Sequence, residues 1–217
     1  MEYKILNNGI KIPVLGIGTY LLTPDEAENS VEIALKNGYS LIDTANAYVN
    51  EKAVGRAIKK SGIERDKIFL ETKLWPSFYE DDDAIEKTLK RLDTDYIDLM
   101  ILHQPAGNYI EGYKKLEKAY KEGKLKAIGI SNFNEEEIKE VINKCEIKPM
   151  IIQVEAHPYF ARVEFNKFLK ENNIELQSWY PLGGRGNSTM INEEIFTDIA
   201  KKYNKTNAQI ILKWHTQ

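Results

Sequence analysis

The chain has 217 residues, 42% of them hydrophobic, which is enough for one sizeable buried core. Its formal net charge of −3 argues against a surface for nucleic acid or anionic membrane, because such surfaces carry a basic excess. A single cysteine excludes a disulfide framework within the chain, and no apolar run suits a signal peptide or a membrane span. We therefore expect a cytoplasmic protein.

Short apolar segments alternate with amphipathic segments along the chain. A hairpin formed by YKIL and IKIPV, around Asn7-Asn8-Gly9, comes first. The next seven apolar segments are rich in Ile, Val and Leu, as expected of strands that are buried on both faces. These are VLGIG (14–18), SLID (40–43), KIFLET (67–72), YIDLMIL (96–102), LKAIGI (125–130), MIIQV (150–154) and IELQS (174–178).

Capping signals mark helices between these strands. Thr23 and Glu26 form a capping box with Pro24 at the first helical position, and Asn134 and Glu137 repeat the pattern. Repeated β–α alternation predicts an α/β fold with a parallel sheet. Seven units suit an incomplete TIM (β/α)8 barrel better than a doubly wound sheet. We predict one domain over 1–217 that lacks the last unit of the barrel.

Polar residues follow the predicted strands at the end where chemistry is located in this fold. Asp43 ends the second strand and Tyr48 lies in its loop, while Lys73 and His103 follow the third and fourth strands. An ammonium can pair with a carboxylate, and it favours the ionised form of a nearby phenol, so we expect it to lower the phenol pKa. These groups suit proton transfer to or from an oxygen atom.

Each of these residues also has a structural interpretation when it is taken alone. Asp43 could cap a helix or form a salt bridge with Lys73, Tyr48 could pack in the core, and a histidine such as His103 is more often structural than catalytic. Four such residues at one end of a barrel favour function. Asp98, inside the fourth predicted strand, is interpreted as a structural hydrogen-bonding group.

Several motifs give the chain a resemblance to the aldo-keto reductase family over essentially its whole length. They are GIGTY, GYSLIDTANAYVNEKAVGRAI, ETKLW, DYIDLMILHQP, GKLKAIGISNF, IIQVEAHPY and SWYPLGG, in this order. The resemblance implies a TIM barrel that reduces aldehydes or ketones with NAD(P)H. It assigns Tyr48 as the proton donor, Lys73 as the group that lowers its pKa, Asp43 as the partner of Lys73, and His103 as the group that orients the substrate.

The resemblance also implies a cofactor site and a substrate pocket. The nicotinamide carboxamide would be held by Ser131, Asn132 and Gln153, and the nicotinamide ring would stack on Trp179. The implied cofactor residues are Gly18, Thr19, Tyr20, Asp43, Ser131, Asn132, Gln153, Trp179, Tyr180, Leu182 and Gly184. The implied substrate residues are Tyr20, Tyr48, Trp75, His103 and Gln104, with Gln104 where many relatives have tryptophan. Tyr180 stands where a small residue is usual. The implied cofactor is NADPH, with NADH as an alternative, and the implied protein is a monomer acting on a small carbonyl compound.

Other functions stay open at this stage. A metal-dependent barrel hydrolase would use His103, His157 and Asp43, although the chain has only three histidines, and we expect no metal. A Schiff-base aldolase would use Lys73, which Asp43 would keep charged. A non-catalytic cofactor-binding relative or an inactive fragment is the third alternative.

Overall fold

The computed structural model describes residues 2–183 and 189–217. Nine strands lie in the described residues: β1 (Tyr3–Ile5), β2 (Lys11–Pro13), β3 (Gly16–Gly18), β4 (Leu41–Asp43), β5 (Phe69–Leu74), β6 (Leu99–Leu102), β7 (Ile128–Ser131), β8 (Ile151–Glu155) and β9 (Glu175–Trp179). Eight α-helices lie there as well: α1 (Pro24–Lys36), α2 (Glu51–Ser61), α3 (Ala84–Leu92), α4 (Tyr109–Lys121), α5 (Glu135–Lys144), α6 (Val163–Glu171), α7 (Glu194–Tyr203) and α8 (Asn207–His215).

The chain divides into two compact units. The first comprises Met1–Ile152 and Asn173–Glu175, and the second comprises Gln153–Asn172 and Leu176–Gln217. The single domain expected over 1–217 stays a prediction. Among the described residues, no helix combines the length and the apolar character needed to cross a membrane.

The first unit contains the predicted hairpin and a parallel sheet. β1 pairs with β2 in antiparallel orientation, and β3, β4, β5, β6 and β7 are neighbours in chain order, all parallel. β6 is wholly apolar and buried throughout, as expected of a strand that is covered on both faces. Each of the strands β3 to β9 starts one to three residues later than the sequence pattern indicates, as with β5 at Phe69 instead of Lys67.

Helix starts follow the predicted caps. The Thr23 hydroxyl accepts from the amide of Glu26, whose carboxylate in turn accepts from the amide of Thr23, and Pro24 is the first residue of α1. Asn134 and Glu137 form the same reciprocal pair at α5. Because these caps satisfy amides that have no partner within the helix, they fix where each helix leaves the loop.

Register sets which side chains share a face. Asp43 is directly opposite Glu71 across β4 and β5, and Lys73 is two residues farther along β5. Side chains alternate between faces with a period of two, so Asp43, Glu71 and Lys73 point to the same side of the sheet. The carboxyl ends of the strands therefore bring a carboxylate and an ammonium together.

Candidate active site

The four residues of the candidate active site come from four successive segments of the first unit. Asp43 is the last residue of β4, and Tyr48 ends a short 3-10 helix in the loop that follows. Lys73 lies near the end of β5, and His103 directly follows β6. The sheet thus places all four side chains at the carboxyl ends of its strands, where the sequence predicted them.

The buried ammonium of Lys73 is held by two acceptors. Its Nζ donates to the Asp43 carboxylate and, at 3.1 Å, to the carbonyl oxygen of Thr44. Only 1% of the Lys73 side chain is exposed, and burial alone would lower its pKa. Burial is the largest single influence, but Asp43 together with the other acidic groups around it, Tyr48 and Glu71, outweighs burial and raises the Lys73 pKa above its ordinary value. Lys73 is therefore charged, which disfavours the Schiff-base alternative because that chemistry needs a neutral amine.

The Tyr48 ring lies beside this ammonium, with Lys73 Nζ 5.2 Å from the ring centroid. Burial raises the pKa of Tyr48 to about 12, and the charge of Lys73 only limits that rise. The expectation that Lys73 would bring the Tyr48 pKa below its ordinary value is therefore wrong for the protein alone. Desolvation of the phenolate is the larger effect, so the phenol carries its proton at neutral pH.

The imidazole of His103 faces two aromatic rings. Its centroid is 5.7 Å from that of Tyr48 and 5.0 Å from that of Trp75, both in edge-on arrangements. Burial, together with the charge of Lys73, lowers the His103 pKa to about 3, so the ring is neutral. Within residues 2–183 and 189–217, its buried Nδ1 has no hydrogen-bond partner. A neutral imidazole can donate from one nitrogen only.

Two aromatic side chains stand at the edge of this group. Tyr20 packs on Tyr48 with their ring centroids 5.1 Å apart, and Trp75 packs on His103. Tyr20 is 47% exposed and Trp75 is 39% exposed, so both present apolar surface to solvent beside the phenol. Gln104 follows His103, and its backbone is bonded to the hydroxyl of Tyr79. These residues could contact the carbon skeleton of a small substrate.

The predicted cofactor residues of the first unit surround the same strand ends. Ser131 ends β7, and the Asn132 amide donates to its hydroxyl at 3.1 Å and to the His103 carbonyl at 3.3 Å. Asn132 has a φ of 66°, a left-handed conformation that asparagine tolerates better than most residues. Thr19 follows Gly18 at the end of β3, and its hydroxyl donates to the Asp43 carbonyl at 3.2 Å.

The second unit contains the remaining predicted cofactor residues. Gln153 lies on β8 and donates to the Gln177 side chain at 3.0 Å, while Trp179 ends β9 and packs edge-on against Tyr180. Leu182 lies in the turn that follows. Gly184 falls outside the described residues. The roles of all these residues stay predictions.

Sequence reasoning missed a buried amide that supports the site. Asn50, just before α2, donates to the carbonyl oxygens of Thr19 at 2.9 Å and Leu22 at 3.1 Å. Its Oδ1 accepts from the Thr44 hydroxyl at 2.9 Å, and the Thr44 carbonyl is an acceptor for Lys73. Asn50 therefore ties the loop after β3 to the residue that helps to hold the ammonium. The run VNE after Tyr48 contains it, but the sequence gives no sign of these contacts.

A metal centre finds no support in this geometry. No group of three or more His, Cys, Asp or Glu side chains in the described parts of the chain is arranged to hold a metal ion. The hydrolase alternative would need such a group around His103 and Asp43. Asp43 is instead occupied by Lys73.

Comparison with known proteins identifies the family. The profile of the Aldo/keto reductase family matches residues 14–217. The chain is 42% identical to the glyoxal reductase of Bacillus subtilis, covering 98% of this chain and 78% of that protein. It is 36% identical to the methylglyoxal reductase DkgA of Escherichia coli, covering 97% of this chain and 78% of that protein.

Solved structures show the same fold. The crystal structure of an aldo/keto reductase from Brucella melitensis superposes with a TM-score of 0.93 at 40% identity, covering 99% of this chain and 84% of that one. The aldose reductase of Schistosoma japonicum gives a TM-score of 0.91 at 30% identity, covering 99% of this chain and 79% of that one. The predicted fold class, an α/β (β/α)8 barrel with seven β/α units and an N-terminal hairpin, is confirmed.

Proposed function

The chain belongs to the aldo-keto reductase family, and we propose that it reduces aldehydes or ketones to alcohols with a reduced nicotinamide cofactor. The observation that carries this proposal is the group formed by Asp43, Lys73 and Tyr48 beside the neutral His103. When it is bound, the cofactor supplies a hydride to the carbonyl carbon. The residues of this chain bind the substrate and provide the proton.

Tyr48 is the proposed proton donor. Its pKa of about 12 keeps the phenol protonated at neutral pH, so a proton is available for the carbonyl oxygen as that oxygen gains charge. The O–H bond of Tyr48 breaks, the new O–H bond forms on the product alcohol, and Tyr48 is left as a phenolate. The adjacent Lys73 ammonium stabilises that phenolate, and Asp43 keeps the ammonium in place.

His103 is proposed to orient the substrate. A neutral imidazole can donate one hydrogen bond to the carbonyl oxygen without competing with Tyr48 as a strong acid. The edge-on contact between His103 and Trp75 limits the movement of the imidazole ring. The exposed faces of Tyr20 and Trp75 would bind the substrate carbon skeleton.

The cofactor is proposed to be NADPH, with NADH as the alternative. Ser131 and Asn132 fit a carboxamide, because their hydroxyl and amide groups lie 3.1 Å apart at the end of β7 and offer both donors and acceptors. Gln153 would add a third polar group, and Trp179 would stack on the nicotinamide ring. The start of this site would be lined by Gly18, Thr19, Asp43 and Tyr20, and the pyrophosphate would lie along Tyr180 and Leu182.

Small carbonyl compounds are the proposed substrates. Two relatives are named for the reduction of glyoxal and methylglyoxal. Gln104, where many relatives have tryptophan, would leave a roomier and more polar wall that suits a compact, polar substrate. We therefore propose short dicarbonyl compounds as the first substrates to test.

The test measures the oxidation of NADPH or NADH in the presence of methylglyoxal, as the loss of reduced-nicotinamide absorbance. Tyr48→Phe removes only the hydroxyl, and we expect kcat/KM to fall by about 10²- to 10⁴-fold. Tyr3→Phe, at an exposed tyrosine of β1, is the matched control and should keep wild-type activity. Unchanged activity in Tyr48→Phe would contradict the mechanism. Quenching of tryptophan fluorescence by the cofactor without turnover would favour a non-catalytic relative.

A further inference from the structure

A second buried tyrosine bonds to the chain next to the active site. Tyr79 lies between β5 and α3 and is 0% exposed. Its hydroxyl donates to the carbonyl oxygen of Gln104 at 2.7 Å and accepts from the amide of the same residue at 3.1 Å. One side-chain hydroxyl thus satisfies both backbone groups of the residue that follows His103.

These hydrogen bonds form just beyond the end of β6, where backbone pairing between strands ends. The amide of His103 makes a backbone bond across the sheet, to the carbonyl of Leu74 at 2.9 Å. Gln104 lies beyond β6, and Pro105 after it has no amide hydrogen to donate. Partly buried backbone N–H and C=O groups just past the end of a strand need hydrogen-bond partners outside the sheet. Tyr79 supplies them, assisted by the amide of Ala106, which also donates to the Gln104 carbonyl at 2.9 Å.

The helix α4 is shaped to admit the Tyr79 ring. Gly112 lies within α4, and a Cβ atom there would come within 2.7 Å of Tyr79 Cγ and 2.9 Å of Tyr79 Cβ. Glycine inside a helix costs about 1 kcal/mol relative to alanine, so a packing requirement explains its presence. The ring is therefore fixed between α4 and the loop, and its hydroxyl has little freedom to leave Gln104.

We propose that Tyr79 is a positioning residue for the reductase site: by holding the Gln104 backbone, it sets where the His103 imidazole and the Gln104 side chain meet the substrate. The inference rests on the proposed function, because His103 is the group that orients the carbonyl there. The side-chain amide of Asn132 donates to the His103 carbonyl at 3.3 Å. The His103–Gln104 segment is thus restrained by the side chains of Asn132 and Tyr79, and Tyr79 is outside the proposed cofactor and substrate residues.

The chain offers a matched control for the test of this proposal. Tyr113, on α4, is also 0% exposed, but its hydroxyl has no hydrogen-bond partner in the described residues. Tyr79→Phe and Tyr113→Phe each remove one buried hydroxyl. We expect kcat/KM for methylglyoxal to fall roughly 10-fold in Tyr79→Phe, mainly through kcat, because a misplaced His103 orients the carbonyl poorly. Tyr113→Phe should stay within twofold of the wild type.

A second readout does not depend on turnover. The chain has three histidines, so the imidazole signals in an NMR spectrum can be assigned by substituting each in turn. Tyr79→Phe should shift the His103 signal, and Tyr113→Phe should leave it in place. If the wild-type protein reduces no carbonyl compound, the proposed function fails, while the NMR comparison still tests whether Tyr79 positions His103.

The proposal is overturned if Tyr79→Phe matches Tyr113→Phe in kcat, KM and the His103 signal. If Tyr79→Phe does not fold, Gly112→Ala provides the answer, because the added methyl group presses on the Tyr79 ring while the hydroxyl is kept. Gly112→Ala should then lower kcat and shift the His103 signal. An unchanged His103 signal and unchanged kcat in that variant would contradict the proposal.

Discussion

Two charge clusters, each with a buried member, lie at opposite ends of the strands of the first unit. At the carboxyl end, Asp43 pairs with Lys73 next to Tyr48. At the amino end, Asp98 pairs with Arg65 at 2.7 Å and with Lys126 at 3.5 Å. Both clusters join a carboxylate, a cation and a tyrosine ring, so residue types alone do not separate them.

In the amino-end cluster, Asp98 and Arg65 form hydrogen bonds with backbone groups of the protein. The Asp98 carboxylate also accepts from the amide of Leu70 at 3.0 Å, which confirms the structural role predicted for it. Arg65 donates to the carbonyls of Ile68 and Tyr96 at 2.7 and 3.0 Å. The Tyr96 ring lies 4.2 Å from Arg65 Cζ and 3.6 Å from Lys126 Nζ.

The carboxyl-end cluster differs because it includes a group without a partner. The buried Nδ1 of His103 is one of the few buried side-chain atoms in the described residues that makes no hydrogen bond. Leaving such a group unsatisfied costs about 1–3 kcal/mol, and in His103 the group lies beside the phenol of Tyr48. An unpaired buried nitrogen next to a charged pair and two partly exposed aromatic rings, rather than residue type, distinguishes the candidate site from the structural cluster.

The largest expected effect compares the lysines of the two clusters. Lys73→Met removes the ammonium beside Tyr48, so the phenolate left after proton transfer loses its stabilising charge. We expect kcat/KM for methylglyoxal to fall at least about 100-fold. Lys126→Met, the matched change at the amino end, should stay within twofold. Steady-state kinetics on both variants checks the comparison, and equal rates for the two would contradict it.

A smaller effect is expected on stability from the amino-end cluster. Asp98→Asn keeps the shape but removes the charge that Arg65 and Lys126 share, and we expect the free energy of unfolding to fall by about 2 kcal/mol. Activity well below the melting temperature should stay within twofold. Asp66→Asn is the control, since Asp66 and its partner Lys67 are both 65% exposed. Urea unfolding measures the free energy of unfolding of both variants. A large loss of activity in Asp98→Asn would contradict the assignment of this cluster to stability alone.

The sequence predicts the strand ends of the first unit well, because strands buried on both faces leave clear apolar runs that stop at polar residues. It thereby indicates that Asp43, Tyr48, Lys73 and His103 lie at one end of the sheet. The start of β6 is less clear from the sequence. The apolar segment begins at residue 96, but Ile97 forms only an isolated bridge to Leu125, and the strand itself begins at Leu99.

Contacts between distant side chains and backbone groups could not be predicted. The hydroxyl of Tyr79 meets Gln104 25 positions away, and no spacing or composition marks such a bond. The pKa of Tyr48 is a second case, since the pattern shows the neighbouring ammonium but not the extent of burial, which decides the direction. Magnitudes that depend on desolvation require the packed structure.

The smallest expected effect uses pH to examine the unsatisfied histidine. Burial lowers the folded-state pKa of His103 to about 3 from an ordinary 6.5. Between these values the unfolded chain binds a proton that the folded chain does not, so stability falls as pH decreases below 6.5. From pH 7.5 to 5.5, the wild type should lose about 1 kcal/mol more unfolding free energy than His103→Gln.

Urea unfolding at the two pH values provides this measurement. Burial also lowers the pKa of His215, so the wild-type slope contains contributions from other groups, and subtracting the His103→Gln slope isolates the one at the candidate site. Identical slopes would mean that His103 takes up a proton in the folded protein near its ordinary pKa. The imidazole would then become a cation beside Lys73 below about pH 6.5, and the desolvation that keeps it neutral in the acidic range would be absent.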